Sequence, residues 1–526
     1  MTQQIKRETG HVQFRMLRER RTGQNSLQLS SSTAALAGKS HQWVKILPKS
    51  LFRNVARRGM AKPVTSFDFW KPIINDFDPV SQVSPEDLRD FFVDRKENQP
   101  TQSIVARLKA SFRNSIGQKS PYKILLTGHV GSGKTSELMR LGQELSDYFF
   151  VVWLDAEVSL AKEKANQFDV LLAMGVAVHL AAKAVGLKPN KKLAEKFVES
   201  FAKFIRKYEK RNKFSLNLGQ VINQVFTIAL SVGASAFAGP AAGIMAGAAA
   251  AGVGEAFKAT TLELNVKDEL VRALELPANR QEIIGRLNEL IEDVQVKAKK
   301  PLLVITDGLD KVSALRARLL FADSSLLTEP AAAMAFAAPI EFYHRLSANI
   351  ASSVFSEYVI LPNPPVSQQP QIGERWQEER IDNQSGMDVI YKIIARRIQR
   401  RGHDPATVIS QDAQRLIAVS SGGIIREAIR FFRDAALSAQ ISELLTINEG
   451  IVSQVIDGQI REMRARLSAQ HREALIAVLK QGTLIGGTSE AIEDDLLHAL
   501  YLLSYQGDGG SFWFDAHPNA LFVISR

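Results

Sequence analysis

Residues 128–135 read GHVGSGKT, which places Gly128, Gly133, Lys134 and Thr135 in the spacing G-x-x-x-x-G-K-[ST]. The chemistry of such a loop is phosphate binding. Its glycines let backbone N–H groups turn inward where side chains would collide, so that His129, Val130, Gly131 and Ser132 lie within a cradle of donors. Lys134 brings a point charge for the β- and γ-phosphates, and Thr135 brings a hydroxyl for Mg²⁺. Ser136 stands in the first turn of a helix whose positive N-terminal end faces the same anion. The apolar KILLT before the loop and the helically spaced SELMRLGQEL after it supply the strand–loop–helix context that the motif requires. ATP with Mg²⁺ is the expected ligand.

The acid half of such a site is found about 165 residues later. Four aliphatics, Leu302 to Ile305, lead to Asp307 in PLLVITDGLDK. A carboxylate at the end of a buried strand reaches the Mg²⁺ shell opposite Thr135. Asp310, three residues on, is the candidate to orient or polarise the attacking water. A second apolar run, YFFVVWLDAE, ends in Asp155, where sheets of this kind display polar groups.

These residues need a parallel α/β sheet to bring them together. A lead-in segment (67–120) precedes the strand 123–127, and further strands are expected in AAAMAFAAP (331–339) and EYVILP (357–362). Periodicity makes 387–440 helical, and the tail is expected to hold helices and two short strands around the His-Pro-Asn turn of SFWFDAHPNALFVIS. The helix SEAIEDDLLHALYLL opens with Glu490, Glu493, Asp494 and Asp495, which suit a helix dipole and would repel phosphates, so this part is expected to contact protein. Trp513 and Phe514 are expected in a core or interface, and His517 in a structural role. The expected organisation is a basic, disordered leader (1–66), a P-loop ATPase core (67–365) with a mainly helical insertion (160–298), a helical lid (366–440) and a winged-helix-like C-terminal domain (441–526).

The P-loop, the long insertion, LLVITDGLDK, a strand ending in AAP and the helices around SSGGIIREAIRF resemble bacterial ATPases of the AAA+/STAND kind, with the KAP group among their relatives. The likeness spans about residues 67–440. It implies homo-oligomeric assembly or conformational switching driven by nucleotide, and Arg426, after Gly422 and Gly423, resembles the sensor-2 arginine that touches the γ-phosphate. The chain departs from that pattern where Gly308 follows Asp307 in place of an acid, and where Phe336, Ala337, Ala338 and Pro339 hold no polar residue for the lytic water. Both departures favour slow turnover. Arg316 and Arg318 follow the acid strand, but neither is singled out as an arginine finger.

The net charge of +11 is not spread along the chain. Residues 1–60 hold twelve Lys/Arg against Glu8 and Glu19, and the remaining residues are close to neutral. Three readings fit this leader: an arm for nucleic acid or anionic lipid, a transit peptide, or translated upstream sequence with Met60 as the start. There is no cysteine, which excludes disulfides and thiolate metal sites and fits a reducing, cytoplasmic setting. The 41 residues from Phe214 to Gly254 carry no charge, and Gly239, Gly243 and Gly247 recur at a four-residue spacing. A packed soluble segment, a hairpin bent at Gly239–Pro240 that enters a membrane on activation, and a constitutive span all fit 225–254.

The leading expectation is a slowly hydrolysing regulatory ATPase, placed by resemblance in bacterial phage defence, with a protein partner at the C-terminal domain. The alternatives are a DNA-associated AAA+ loader or transposition regulator that uses the leader, and an ATP-gated membrane effector that uses 225–254.

Overall fold

The computed structural model describes residues 65–79, 85–95, 104–156, 165–212, 276–345, 355–373, 376–507 and 510–525. The leader before residue 65 and the Ala/Gly segment 225–254 lie outside the described residues.

The chain opens with α1 (Ser66–Asp76), α2 (Pro85–Phe91) and α3 (Ile104–Asn114). Then come β1 (Lys123–Gly128), α4 (Lys134–Leu145) and β2 (Phe150–Asp155). Three long helices follow, α5 (Gln167–Ala184), α6 (Lys191–Asn212) and α7 (Pro277–Ala298), before β3 (Leu302–Asp307), α8 (Ala314–Phe321), β4 (Ala333–Pro339), α9 (Ile340–Arg345) and β5 (Glu357–Ile360). The rest is α10 (Gln384–Arg400), α11 (Pro405–Val408), α12 (Gln411–Ser420), α13 (Ile425–Ile441), α14 (Glu449–Arg466), α15 (Ala469–Gln481), α16 (Glu490–His498), the hairpin β6 (Leu502–Gln506) with β7 (Phe512–Ala516), and α17 (Pro518–Ile524).

The five core strands form one parallel sheet in the order β2-β3-β4-β1-β5. Both faces are covered, which is why its strands read as unbroken apolar runs. Leu125, Leu302, Val304, Met334 and Phe336 face α5 to α8, while Ile124, Leu126, Leu303, Ile305 and Ala335 face α3 and α4. α5 is apolar and long enough to cross a membrane by composition alone, yet it lies inside this core against β2, α6 and α7. Because every strand runs the same way, all carboxyl ends open onto one edge, the usual place for a ligand in an open α/β sheet. The register sets Gly128 beside Pro339, and Asp155 beside Asp307.

A second core belongs to the helical part. There α10, α12, α13 and α14 pack with α15 to α17 and with α1, and Phe77, which caps α1, stacks on Phe432 at 3.8 Å.

The tail differs from its expectation in two places. The helix opening at Glu490 stops at His498, and the YLL that follows leads into a strand. Leu500 adopts φ +61°, which an α-helix does not accommodate. The final apolar run, ALFVIS, is helical. Pro518 takes the first helical position, and the His517 side chain accepts the Asn519 N–H as a cap, so the run leaves β7 paired with β6 instead.

Candidate nucleotide site

The loop between β1 and α4 depends on the motif's Gly133 and on one further glycine, Gly131. Gly131 and Gly133 have φ of +85° and +97°. A Cβ on Gly131 would stand 2.8 Å from Cβ of Arg426, and one on Gly133 would stand 2.8 Å from Nη2 of Arg95. Inside the turn, the Lys134 ammonium donates to the carbonyls of Gly128 at 2.6 Å and His129 at 2.8 Å. It also pairs with Oδ2 of Asp310 at 2.7 Å. Ser132 Oγ is buried without a hydrogen-bond partner among the described residues. Val130, Thr135 and Ser136 are half-buried along the same turn.

β3 delivers Asp307 to the carboxyl edge, where it accepts a hydrogen bond from the Thr135 hydroxyl. Burial, and then the neighbouring Asp310 charge, push the Asp307 carboxyl well above the usual carboxylate range. Its Oδ1 is buried with no hydrogen-bond partner among the described residues. An orphaned carboxylate oxygen beside a hydroxyl and two further acids, Asp155 and Asp310, suits a divalent cation, so the residues present fit Mg²⁺. Among the described residues no cluster of three or more His, Cys, Asp or Glu side chains is placed to hold a metal by itself. Mg²⁺ needs none, since it is commonly held by one or two carboxylates together with substrate phosphates.

The helical part after β5 meets the loop at the start of α13. The Arg426 N–H donates to the Gly131 carbonyl at 3.2 Å, fixing the start of α13 on the loop. Gly423 (φ +76°) makes this approach possible, because a Cβ there would stand 2.0 Å from the Pro364 carbonyl oxygen. Lys311 joins the group. Burial, and then the charges of Arg426 and Lys134, lower it to about 8, with Asp155 opposing. Asp155, Lys134, Asp307, Asp310, Lys311 and Arg426 are thus gathered at one edge of the sheet. Arg316 lies near buried Asp169, and exposed Arg318 pairs with Asp323 at 3.4 Å.

Several partners of the site were not legible in sequence. Arg95, buried and lowered by desolvation, donates to the Ser132 carbonyl and, at 2.9 Å, to that of Pro362, strapping the lead-in segment under the loop. A cavity of about 60 Å³ opens beside Gly133, lined in part by Phe92, Val93, Ile393, Arg397 and Ile425. On the far side, His129 is buried, and its Nε2 accepts the Ser504 N–H of β6 at 2.8 Å. Burial, and then Lys134, hold its imidazole down at about 3, so it stays neutral and keeps that acceptor. The Ser504 hydroxyl bonds His344 Nε2 at 3.0 Å, and the Tyr505 hydroxyl donates to the Gly422 carbonyl at 2.8 Å. Arg345 of α9 bonds Glu493 at 2.9 Å and Asp494 at 2.8 Å, while His498 pairs with Glu341 at 2.8 Å. The acids that open α16 therefore face an arginine of the core as well as their own helix dipole. The one signal for these contacts was the histidine itself, a bulky polar ring inside a phosphate loop.

The sheet, the loop and the acid edge define an α/β P-loop nucleotide-binding fold with a helical C-terminal part. No protein-family model matches the chain, and no curated protein matches it. Among solved structures it is similar to Cdc6p from Pyrobaculum aerophilum, at 10% identity over 82% of this chain and 96% of that one, with a TM-score of 0.33. It is also similar to Aeropyrum pernix Orc1 in complex with DNA, at 13% identity over 84% and 94%, with a TM-score of 0.35. A chain of Drosophila ORC bound to DNA gives 11% identity over 93% and 96%, with a TM-score of 0.33.

Proposed function

We propose that this chain is a regulatory ATPase of the AAA+ kind whose nucleotide state controls how its C-terminal part sits on the phosphate loop. The observation that supports this reading is the buried bond from Ser504 to His129. A loop that must reshape around phosphates is hydrogen-bonded directly to the C-terminal hairpin, so a change at one is felt at the other.

Each residue has a role in this reading. The loop N–H groups and Lys134 hold the β- and γ-phosphates, Arg426 meets the γ-phosphate, and the cavity beside Gly133 takes part of the base. Thr135 and Asp307 hold Mg²⁺, which supplies charge neutralisation of the phosphates when bound. Asp310 orients the attacking water and accepts its proton. β4 ends in buried Ala337, Ala338 and Pro339, so it offers that water no second polar anchor, and turnover is slow.

The test is ATP affinity and steady hydrolysis of the full chain, with Lys134→Ala and Asp310→Asn, together with hydrogen exchange of residues 502–506. Tight binding, turnover lost in both variants and nucleotide-dependent exchange in β6 are expected. Unchanged exchange on binding would remove the regulatory part of the reading.

A second reading, a DNA-associated ATPase, rests on the basic balance of residues 1–60. It expects DNA affinity that falls steeply with salt and disappears when the leader arginines become glutamine.

A further inference from the structure

The Lys134 ammonium has three N–H donors, and all three are committed. Two go to the loop carbonyls of Gly128 and His129, at 2.6 and 2.8 Å, and the third to Asp310 Oδ2 at 2.7 Å. The pair is enclosed, with side-chain exposures of 2% for Lys134 and 10% for Asp310. A phosphate can therefore reach Lys134 only by replacing one of these acceptors. The carbonyls belong to the loop that wraps the phosphate. Asp310 is the anion of the three, and an incoming phosphate repels it.

The local fold explains how Asp310 comes to be there. Gly308 adopts φ +84° directly after Asp307 and starts a single 3₁₀ turn over Leu309–Lys311. That turn swings the acid back across the edge of the sheet to the lysine. Glycine takes this φ without strain, which an L side chain rarely does. The glycine that breaks the familiar acid pair thus supplies a different geometry.

Displacing Asp310 leaves its carboxylate beside Asp307, whose Oδ1 is orphaned and buried, with Asp155 aligned next to Asp307 on β2. The cluster then loses the one ammonium paired directly with Asp310, while Lys311 stays beside Asp155. We propose that Asp310 is the counterion of Lys134 in the empty site and thereby couples nucleotide binding to Mg²⁺: phosphates take the lysine, and the freed carboxylate demands a cation entering with them. This rests on the nucleotide reading of the loop. It adds that the residue placed to orient water is held neutralised until nucleotide arrives.

The experiment is calorimetric binding of β,γ-imido ATP to the full chain, once with Mg²⁺ and once with EDTA. Wild type should bind at least 100-fold more weakly in EDTA. Asp310→Asn should bind the metal-free nucleotide at least tenfold more tightly than wild type does, narrowing the gap, while Asp310→Glu should show no such gain. Asp310→Ser repeats the comparison should the asparagine variant not fold. Metal-free affinity in Asp310→Asn equal to or below that of wild type, with wild type binding normally, overturns the counterion role and leaves the nucleotide site standing. No binding by wild type in either condition overturns the nucleotide reading and this inference with it.

Discussion

The amide of Ser504 donates to Nε2 of His129, a residue 375 positions earlier in the chain, at 2.8 Å and out of contact with water. The bond joins the phosphate loop to the C-terminal hairpin. The same hairpin holds the turn before α13, through Tyr505 on Gly422, and α13 holds the loop, through Arg426 on Gly131. Loop, α13 and hairpin are therefore joined in a ring of hydrogen bonds.

Replacing His129 with Ala removes the acceptor and leaves the Ser504 N–H buried and unpaired. The cost is about 1–3 kcal/mol, the desolvation penalty of an orphaned donor. Urea unfolding should show that loss. Amide exchange at Ser504 in the nucleotide-free protein should also rise by at least tenfold. An exchange rate equal to wild type would mean that the hairpin is held without the loop.

Arg345 is the main ionic tie between α9 and α16. It binds Glu493, which is fully buried, and Asp494. Arg345→Ala should cost about 3 kcal/mol, because it strands a buried carboxylate. Arg345→Lys should recover only part of this, since one ammonium cannot reproduce a fork spread over two acids. Glu493 also accepts the N–H groups of Ile485 and Gly486, so its loss should loosen the turn before α16 too. Full rescue by lysine, measured by thermal unfolding, would reduce the tie to simple charge attraction.

The sheet was readable from sequence because its strands are buried on both faces. KILLT, LLVIT and AAAMAFAAP carry their assignment in every residue, and the loop glycines locate the phosphate cradle. The hairpin and last helix were harder to read. ALFVIS is apolar enough for either state, and the deciding features were a cap at His517 and a proline at the first helical position. Arg95, the His129–Ser504 bond and the Lys134–Asp310 pair have no signature in spacing, since each joins residues that only the folded chain brings together. The loop identifies what binds there but not which neighbours hold the loop.

Gly131→Ala should damage both the loop and the lid. The new methyl would meet Arg426 at 2.8 Å, and φ +85° is strained for any side chain. Keeping α13 on the loop then requires it to shift by a few tenths of an ångström or more. Nucleotide affinity should fall at least tenfold, while the far helices α14 and α15 keep their exchange protection. An affinity equal to wild type would place the lid away from the phosphates.

Acid sensitivity should be traceable to single histidines. His517 is buried and its imidazole is pushed down to about 3, by burial first and then by Arg430. Above pH 6.5 the ring is neutral in both folded and unfolded chains and costs nothing. As pH falls below that value the unfolded chain takes up a proton that the folded chain refuses. Stability then drops by about 1.4 kcal/mol per pH unit for this one group. His129 adds a parallel drop, whereas His498, raised by its bond to Glu341, works the other way and loses its contribution as pH rises. The buried carboxyl of Asp169, raised by burial, also opposes the drop, so the net profile mixes signs. His517→Asn separates them. Asparagine can still cap α17 by accepting the N–H that His517 accepts now, and it does not titrate. Relative to wild type, the variant should gain about 2 kcal/mol between pH 7 and pH 5 in urea unfolding, the proton linkage of one depressed histidine over that range. Parallel profiles for the two proteins would mean that the imidazole at 517 takes up its proton as readily in the fold as in the unfolded chain, and that the cap does not depend on its neutral nitrogen.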